Sequence, residues 1–180
     1  GAEIISKWEQ RTYPPRPARA LPNHTFFYDS KKTTHGKLNL EYGYLPQAHT
    51  DGDIYVFFPT QNVIAAGDIV SVGNYPIVDY STNGWLGGMV SALRDLLKKG
   101  DADTRFVPGR GPVRTKADLQ VQLDMCLTVL TRISESYYKG QTWDEFVAAK
   151  PTREFDAAWG DPTLFMQTAY TGAWTHITEI

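Results

Sequence analysis

The first half of the chain carries an apolar pattern that predicts a β-sheet. Apolar and polar residues alternate over 25–29 and over 37–45, around a polar segment at 30–36 that reads as a turn. Two continuous apolar runs follow, at 54–59 and 62–67, with Thr60-Gln61 between them. Short buried runs joined by a tight turn are typical of a hairpin. The pattern therefore predicts a mostly antiparallel sheet.

The second half reads as helices around one more strand. Trp85, Met89, Leu93 and Leu96 recur at helical spacing, which predicts an amphipathic helix over 85–99. A short strand is expected at 104–107. Helix-capping sequences at Thr115–Asp118 and Thr142–Glu145 predict helices that extend to about residues 139 and 149. Asp161-Pro162 predicts a last helix to about residue 174, and an amphipathic segment at 3–12 predicts a first one.

Composition narrows the class of protein. With 180 residues, 42% hydrophobic and 13% aromatic, the chain is long enough for one globular domain. A net charge of −2 gives no electrostatic case for binding nucleic acid or an anionic membrane. No apolar run approaches the ~20 residues that a bilayer requires. The single cysteine, Cys126, excludes an internal disulfide and lies in an apolar helical stripe, so we expect it to be a buried hydrophobe.

Three short motifs carry candidate chemistry. An imidazole and a carboxylate flank the predicted hairpin, so both are expected at one rim of the sheet, where a metal-dependent hydrolase would need them. The motifs resemble, in order and spacing, the later motifs of the metallo-β-lactamase-fold hydrolases over roughly residues 20–150. They are His49-Thr50-Asp51-Gly52-Asp53, Ala66-Gly67-Asp68 and Pro108-Gly109-Arg110-Gly111-Pro112.

The resemblance implies a fold and a set of site residues. The fold class is α/β, namely the second half of a metallo-β-lactamase-like αββα sandwich, with a mostly antiparallel sheet covered by helices on one face. His49 and Asp68 would be zinc ligands. The loop at 72–84 would lie over the mouth of the site, which makes pocket candidates of Asn74, Tyr75, Asp79 and Tyr80.

Two departures from the family pattern weigh against a complete metal site. The family's His-x-His-x-Asp-His loop, which supplies most ligands of the first metal, is not present in these 180 residues. The family's Pro-Gly-His-Gly motif also has Arg110 in place of its ligand histidine. A permanently charged guanidinium would repel a cation there. We therefore predict an Arg110–Asp68 ion pair in place of the metal, with His49 as a structural histidine bonded to a loop carbonyl.

Three functions stay open at this point. The first is a truncated, catalytically degenerate domain, inactive as this chain stands, that self-associates or binds a partner. The second is a zinc-dependent hydrolase of an ester, thioester or lactam whose remaining ligands come from an upstream segment or a partner chain. The third is a small-molecule-binding module that uses the loop at 72–84. No nucleophilic Ser/His/Asp arrangement and no phosphate-binding loop is recognisable.

Domain organisation and partners follow from the same resemblance. We expect a single domain over 1–180. It would comprise an N-terminal helix and proline-rich connector (1–20), the region that resembles the family (21–150) and a C-terminal helix (151–180). One face of the sheet, near Val56, Phe57 and Phe58, would normally pack on the fold's other sheet. Exposure of that face predicts a homodimer or a complex with a chain that supplies the missing half. The protein is expected to be soluble, and either cytoplasmic or secreted to the periplasm or beyond after removal of a signal peptide.

Overall fold

A computed structural model describes residues 17–21, 26, 30–176 and 178. Over these residues the chain forms a five-stranded sheet and five α-helices, with short 3₁₀ helices at Ala18–Ala20 and Tyr80–Thr82. The strands are β1 (Ser30–His35), β2 (Leu38–Leu45), β3 (Asp53–Phe58), β4 (Val63–Gly67) and β5 (Arg105–Pro108). The helices are α1 (Leu86–Lys99), α2 (Lys116–Tyr138), α3 (Trp143–Ala148), α4 (Asp156–Trp159) and α5 (Thr163–Trp174).

The strands lie in the sheet in the same order as in the chain. β1 to β4 form successive antiparallel hairpins, whereas β5 is parallel to β4 because α1 carries the chain back to the starting edge. The register aligns Tyr42 with Val56, Val56 with Ala65, and Ala65 with Val107, so these side chains form a row across four strands. The mostly antiparallel α/β architecture predicted from the sequence is confirmed.

One face of the sheet contributes to the hydrophobic core. Leu45, Tyr55, Ile64, Ala66 and Phe106 alternate into it and are buried together with the apolar stripes of α1 and α2. Apolar burial of this kind contributes roughly 25 cal/mol per Å² of area removed from water. The side chains that dominate this core belong to Met89, Leu93 and Leu96 of α1 and to Leu119, Leu123, Cys126 and Ile133 of α2. Cys126 is therefore the buried hydrophobe that the sequence predicted, and burial raises the pKa of its thiol.

The other face of the sheet, here called the open face, contributes no side chain to that core. It consists of the alternate strand residues Leu38, Leu40, Tyr42, Tyr44, Ile54, Val56, Phe58, Val63, Ala65 and Val107. None of these residues is fully buried, and Leu38 and Ile54 are 41% and 46% exposed. The sequence left open whether Phe57 or its neighbours Val56 and Phe58 would lie on this face. Val56 and Phe58 do, and Phe57 lies on the core face, where it packs against the core.

The helix ends follow the predicted capping chemistry. Thr115 and Asp118 bond each other's backbone N–H groups at the start of α2, and Thr142 and Glu145 do the same for α3. Asp161 accepts from the N–H of Thr163 at 2.9 Å, so α5 begins at Thr163, just beyond the predicted proline start. Each cap satisfies donors that the helix itself leaves unpaired.

Other details differ from the sequence predictions. The segment 30–36, predicted as a turn, is mainly β1, and the turn is only Gly36-Lys37, with Gly36 at φ +60°. The sequence did not predict this strand because its residues are polar and exposed, and an edge strand does not require apolar side chains.

The predicted strand at 25–29 and helix at 3–12 lie outside the described residues, except for Phe26, which is in no strand. No helix in the described ranges is both long and apolar enough to cross a bilayer.

Candidate functional site

His49 is held in a fixed orientation in the loop between β2 and β3. Its Nδ1 lies 2.8 Å from the carbonyl oxygen of Ile77, and its own carbonyl accepts from the N–H of Asp79 at 2.9 Å. A carbonyl oxygen only accepts hydrogen bonds, so Nδ1 carries the proton. The other ring nitrogen, Nε2, therefore faces away from the Ile77 carbonyl, toward the carboxylate of Asp68. The predicted bond between this histidine and a loop carbonyl is confirmed.

Two glycines allow the His49 loop to approach α1 closely. A Cβ at Gly88 would lie 1.8 Å from the carbonyl oxygen of Gln47, and one at Gly84 would lie 2.2 Å from that of His49. The N–H of Trp85 also donates to the Gln47 carbonyl at 3.1 Å. Glycine at these two positions thus allows backbone to pack directly on backbone. The position of the imidazole depends on this contact.

Asp53, at the start of β3, stabilises the same loop through hydrogen bonds. Its carboxylate accepts from the N–H of Thr50 at 2.7 Å and from the Thr50 hydroxyl at 3.3 Å. Burial raises the pKa of Asp53, and the hydrogen bonds from Thr50 oppose that rise only in part. Asp53 is thus committed to holding the loop that carries His49.

Asp68 reaches the same rim from the end of β4. Gly67, at φ +56°, ends the strand at an irregularity in the β4–β5 ladder. Asp68 Oδ2 then lies 3.7 Å from His49 Nε2, with the two side chains 56% and 19% exposed. The two residues therefore share one rim, as the hairpin predicted. Their role as metal ligands stays a prediction.

The third motif packs directly against Asp68. Gly109 donates its N–H to the carbonyl of Gly67 at 2.9 Å, and a Cβ at position 109 would lie 2.5 Å from Asp68 Oδ1. The next residue, Arg110, is exposed and forms no ion pair with any described residue. The predicted Arg110–Asp68 ion pair is therefore wrong, and the side chain that lies beside the Asp68 carboxylate is that of His49, with Nε2 at 3.7 Å from Oδ2. What brings the two loops together is the glycine backbone beside the carboxylate.

Gln122 fixes the segment that follows Asp68, and the sequence analysis did not identify it. Its side-chain amide donates to the carbonyl of Ile69 at 2.8 Å and accepts from the N–H of Ser71 at 3.0 Å. The residue is 1% exposed. Its position between Leu119 and Leu123 on the apolar stripe of α2 was the available signal, since a buried amide requires partners.

The four pocket candidates do not converge on the rim as a set. Tyr75 is buried in the helical layer, where its hydroxyl donates to Asp156 at 2.8 Å and its ring stacks on Phe165. Burial raises the pKa of this phenol. Asp79 caps the 3₁₀ helix at Tyr80–Thr82 by accepting from the N–H of Ser81 at 3.0 Å. Asn74 and Tyr80 are exposed, and their role in a pocket stays a prediction.

The described residues do not complete a zinc site. Nowhere in the described part of the chain do three His, Cys, Asp or Glu side chains come together in a way that could hold a metal ion. A catalytic zinc takes three protein ligands and a structural zinc takes four. His49 and Asp68 supply two, and a guanidinium occupies the position of a further ligand. The imidazole of His49 and the carboxylate of Asp68 thus lie together at this rim, and their role as metal ligands stays a prediction.

Comparisons with known proteins identify the fold. No protein-family model and no curated protein matches the sequence. Among solved structures, an inverting sec-alkylsulfatase from Pseudomonas sp. is similar over 68% of this chain and 20% of its own, with 16% identity and a TM-score of 0.58. A metallo-β-lactamase from Pontibacter korlensis is similar over 69% of this chain and 54% of its own, with 19% identity and a TM-score of 0.51. A B3 metallo-β-lactamase is similar over 61% of this chain and 51% of its own, with 17% identity and a TM-score of 0.50.

These similarities show the metallo-β-lactamase fold. They confirm the architecture that the three motifs implied, namely a sheet with helices in the arrangement of part of that fold. The chain spans about half the length of the two β-lactamases and about a fifth of the sulfatase. At identities below 20% the likeness extends to the fold alone.

Proposed function

We propose that this chain is a metallo-β-lactamase-like domain that is catalytically incomplete as it stands and acts by binding a second polypeptide surface through the open face of its sheet. The observation that carries the proposal is the open face itself. Its row of Tyr42, Val56, Ala65 and Val107 crosses four strands outside the hydrophobic core. The four residues are partly exposed, and an apolar surface left outside the core is typical of an interface.

The occupant of the open face is the complementary half of the same fold, supplied from outside residues 1–180. The matched region covers only 54% and 51% of the two β-lactamases, so about half of each has no counterpart in the matched part of this chain. Sheets in a sandwich pack face to face about 10 Å apart, with apolar side chains interdigitating between them. The open face presents such side chains, whereas the core face is already covered by α1 and α2.

The incomplete rim supports the absence of independent catalysis. His49 and Asp68 provide two ligands, and Arg110 replaces the third motif's histidine with a cation. A zinc ion held by two ligands would be bound weakly, and the neighbouring guanidinium would weaken it further.

Native mass spectrometry in zinc-supplemented volatile buffer tests this proposal. We expect no stoichiometric zinc adduct on the chain alone and no turnover of a chromogenic β-lactam, a thioester or a sec-alkyl sulfate. A stoichiometric adduct together with turnover would overturn it. A homodimer that is lost on Val56→Arg would show instead that a second copy occupies the open face.

A second candidate function is a metal-dependent hydrolase completed by the same partner. The orientation of His49 favours it. Because Ile77 holds the Nδ1 proton, Nε2 faces Asp68 at 3.7 Å, and two acceptors so close together favour a cation between them. If the partner supplied further ligands, zinc would bind only to the complex. Zinc affinity of the complex that falls at least tenfold on His49→Ala would support this function.

A further inference from the structure

We infer that the partner surface that packs on the open face is apolar at its centre and acidic along its edges. A second copy of this chain therefore does not fit the open face. The inference rests on the proposed function and specifies the chemistry of the partner. It follows from the strand register, which decides the side of the sheet on which each charged residue lies.

Both edge strands place a cation on the open face. Lys31 of β1 is in register with Tyr42, and Arg105 of β5 is in register with Val63, so each cation shares a face with the apolar row. Both side chains are exposed, and neither forms an ion pair with a described residue. Lys31 Nζ lies 5.8 Å from the ring centroid of Phe26, and the rings of Phe26 and Tyr42 pack edge to face with centroids 5.0 Å apart. The ammonium therefore stays beside the apolar row.

The acidic residues of the strands lie on the opposite side. Glu41 is in register with Phe57, and Asp53 with Leu45, both of which belong to the core face. Within β1 to β5, the open face thus carries cations at its two edges and no carboxylate. The chain as a whole has a net charge of −2, so this separation of charge is local.

This charge pattern opposes self-association through the open face. When two identical sheets pack with aligned strands about a two-fold axis, the β1 edge lies over either the β1 edge or the β5 edge of the partner. Both edges carry cations, so either arrangement sets like charges against each other. A partner with carboxylates at both edges forms two attractive contacts around the same apolar centre.

A charge-reversed copy of the chain provides a probe with these properties. The double variant Lys31→Glu/Arg105→Glu keeps the apolar row and carries acidic edges. Wild type, the variant and a 1:1 mixture are measured by analytical ultracentrifugation at low and high salt, after circular dichroism has shown that each is folded. The matched control, Arg94→Glu/Arg153→Glu, makes the same charge change at exposed positions in the helical layer.

We expect a 1:1 complex in the mixture, at least about tenfold tighter than self-association of the wild type and weakened by salt. The control mixture should form no such complex, and Val56→Arg in the wild-type partner should abolish the one formed by the probe. No complex between the folded proteins would overturn the inference. Equal binding by the control, or an equally tight wild-type dimer, would overturn it as well.

The failure of this inference is distinguishable from the failure of the proposed function. If the mixture does not associate while the chain alone binds no stoichiometric zinc and turns over no substrate, only the charge pattern of the partner is wrong. If the chain alone binds zinc and hydrolyses a substrate, the proposed function is wrong whatever the mixture does.

Discussion

The side-chain amide of Gln122 donates a hydrogen bond to the carbonyl oxygen of Ile69 at 2.8 Å, and it does so in a fully buried position. Ile69 immediately follows Asp68, so a glutamine on α2 fixes the backbone that presents the carboxylate. The same amide accepts from the N–H of Ser71 at 3.0 Å. One side chain therefore satisfies two backbone groups beside the candidate site.

Substitution of this glutamine should destabilise the protein strongly. Gln122→Leu keeps the volume roughly constant but leaves the carbonyl of Ile69 and the N–H of Ser71 without partners. We expect a loss of about 2–4 kcal/mol in the free energy of unfolding, measured by urea denaturation. Gln120→Leu is the matched control, since Gln120 is exposed and bonds only Asp124 one turn on. A cost below about 0.5 kcal/mol is expected there, and equal costs would contradict the assigned role.

Gly88→Ala should destabilise although it improves helix propensity. Alanine favours a helix over glycine by about 1 kcal/mol. At this position, however, the new Cβ would meet the carbonyl oxygen of Gln47 at 1.8 Å, so the His49 loop must move away from α1. Thermal denaturation should show a lower midpoint for Gly88→Ala. The control is Gly52→Ala, where the nearest atom would be 3.9 Å away, and its midpoint should stay close to that of the wild type.

The Glu41–Lys99 pair should make stability depend on pH at the acid end. The hydrogen bond from Lys99 lowers the pKa of Glu41, and Tyr55 also donates to this carboxylate, at 3.2 Å. A lowered carboxyl pKa contributes stability above the pKa of the unfolded chain, about 4.3, and that contribution is lost as the pH falls through the folded pKa. Glu41→Gln should therefore cost about 1.5–3 kcal/mol at neutral pH and progressively less in acid.

Urea denaturation between about pH 7 and pH 3 measures this dependence. Glu135→Gln is the control, since its pair with Lys139 is exposed and should contribute less than about 0.5 kcal/mol.

At alkaline pH the contribution of Lys99 to stability changes with pH in the opposite direction. Burial alone would lower the pKa of Lys99, but the bonds to Glu41 and Tyr55 raise it. The stability contributed by Lys99 is thus present below about pH 10.4 and lost as the pH rises through the raised pKa. A pH profile of Glu41→Gln parallel to that of the wild type would refute the role of the pair.

Threonine substitutions on neighbouring strands should show that the two faces of the sheet contribute differently to the free energy of unfolding. Ile64 is fully buried in the core, so Ile64→Thr buries an unpartnered hydroxyl and leaves a cavity, with an expected cost of about 2–5 kcal/mol. Val56 lies on the open face outside the core, so Val56→Thr should cost less than about 1 kcal/mol. Chemical denaturation of both variants measures the difference. Similar costs would mean that the open face is part of a folded core.

The elements predicted best are those specified by local chemistry. The capping box at Thr115–Asp118 depends on residues three apart, and the α1 stripe repeats with a single period, so neighbouring positions are sufficient to predict both. β1 was misread because its strand character comes from pairing with β2, and nothing in Ser30–His35 itself requires burial. The sequence did not decide which face Phe57 occupies, because a continuous apolar run does not reveal its alternation without a partner strand.

Prediction of the candidate site from the sequence is limited in the same way, because its contacts join residues that are distant in the chain. The hairpin correctly predicted that His49 and Asp68 meet, since it returns the chain to one rim. The partner of Asp68 was predicted wrongly because charge complementarity alone favoured Arg110, whereas the backbone contacts of Gly109 direct the loop. Gln122 was missed because its partners are main-chain groups more than fifty residues away in the sequence.

The single parallel pairing in the sheet also bears on the order in which the molecule folds. β1 to β4 are consecutive in the chain and are joined by short connections, the longest of them the loop that carries His49, so their contacts form at low loop-closure cost. β5 pairs with β4 across the long connection that contains α1, so we expect this pairing, and with it the contact of Gly109 with Asp68, to form later. We therefore expect pulsed hydrogen exchange to show protection of Tyr55 and Val56 amides before that of Gly109. The contact of Gly109 with Asp68 at this rim would then be completed after the hairpins of β1 to β4.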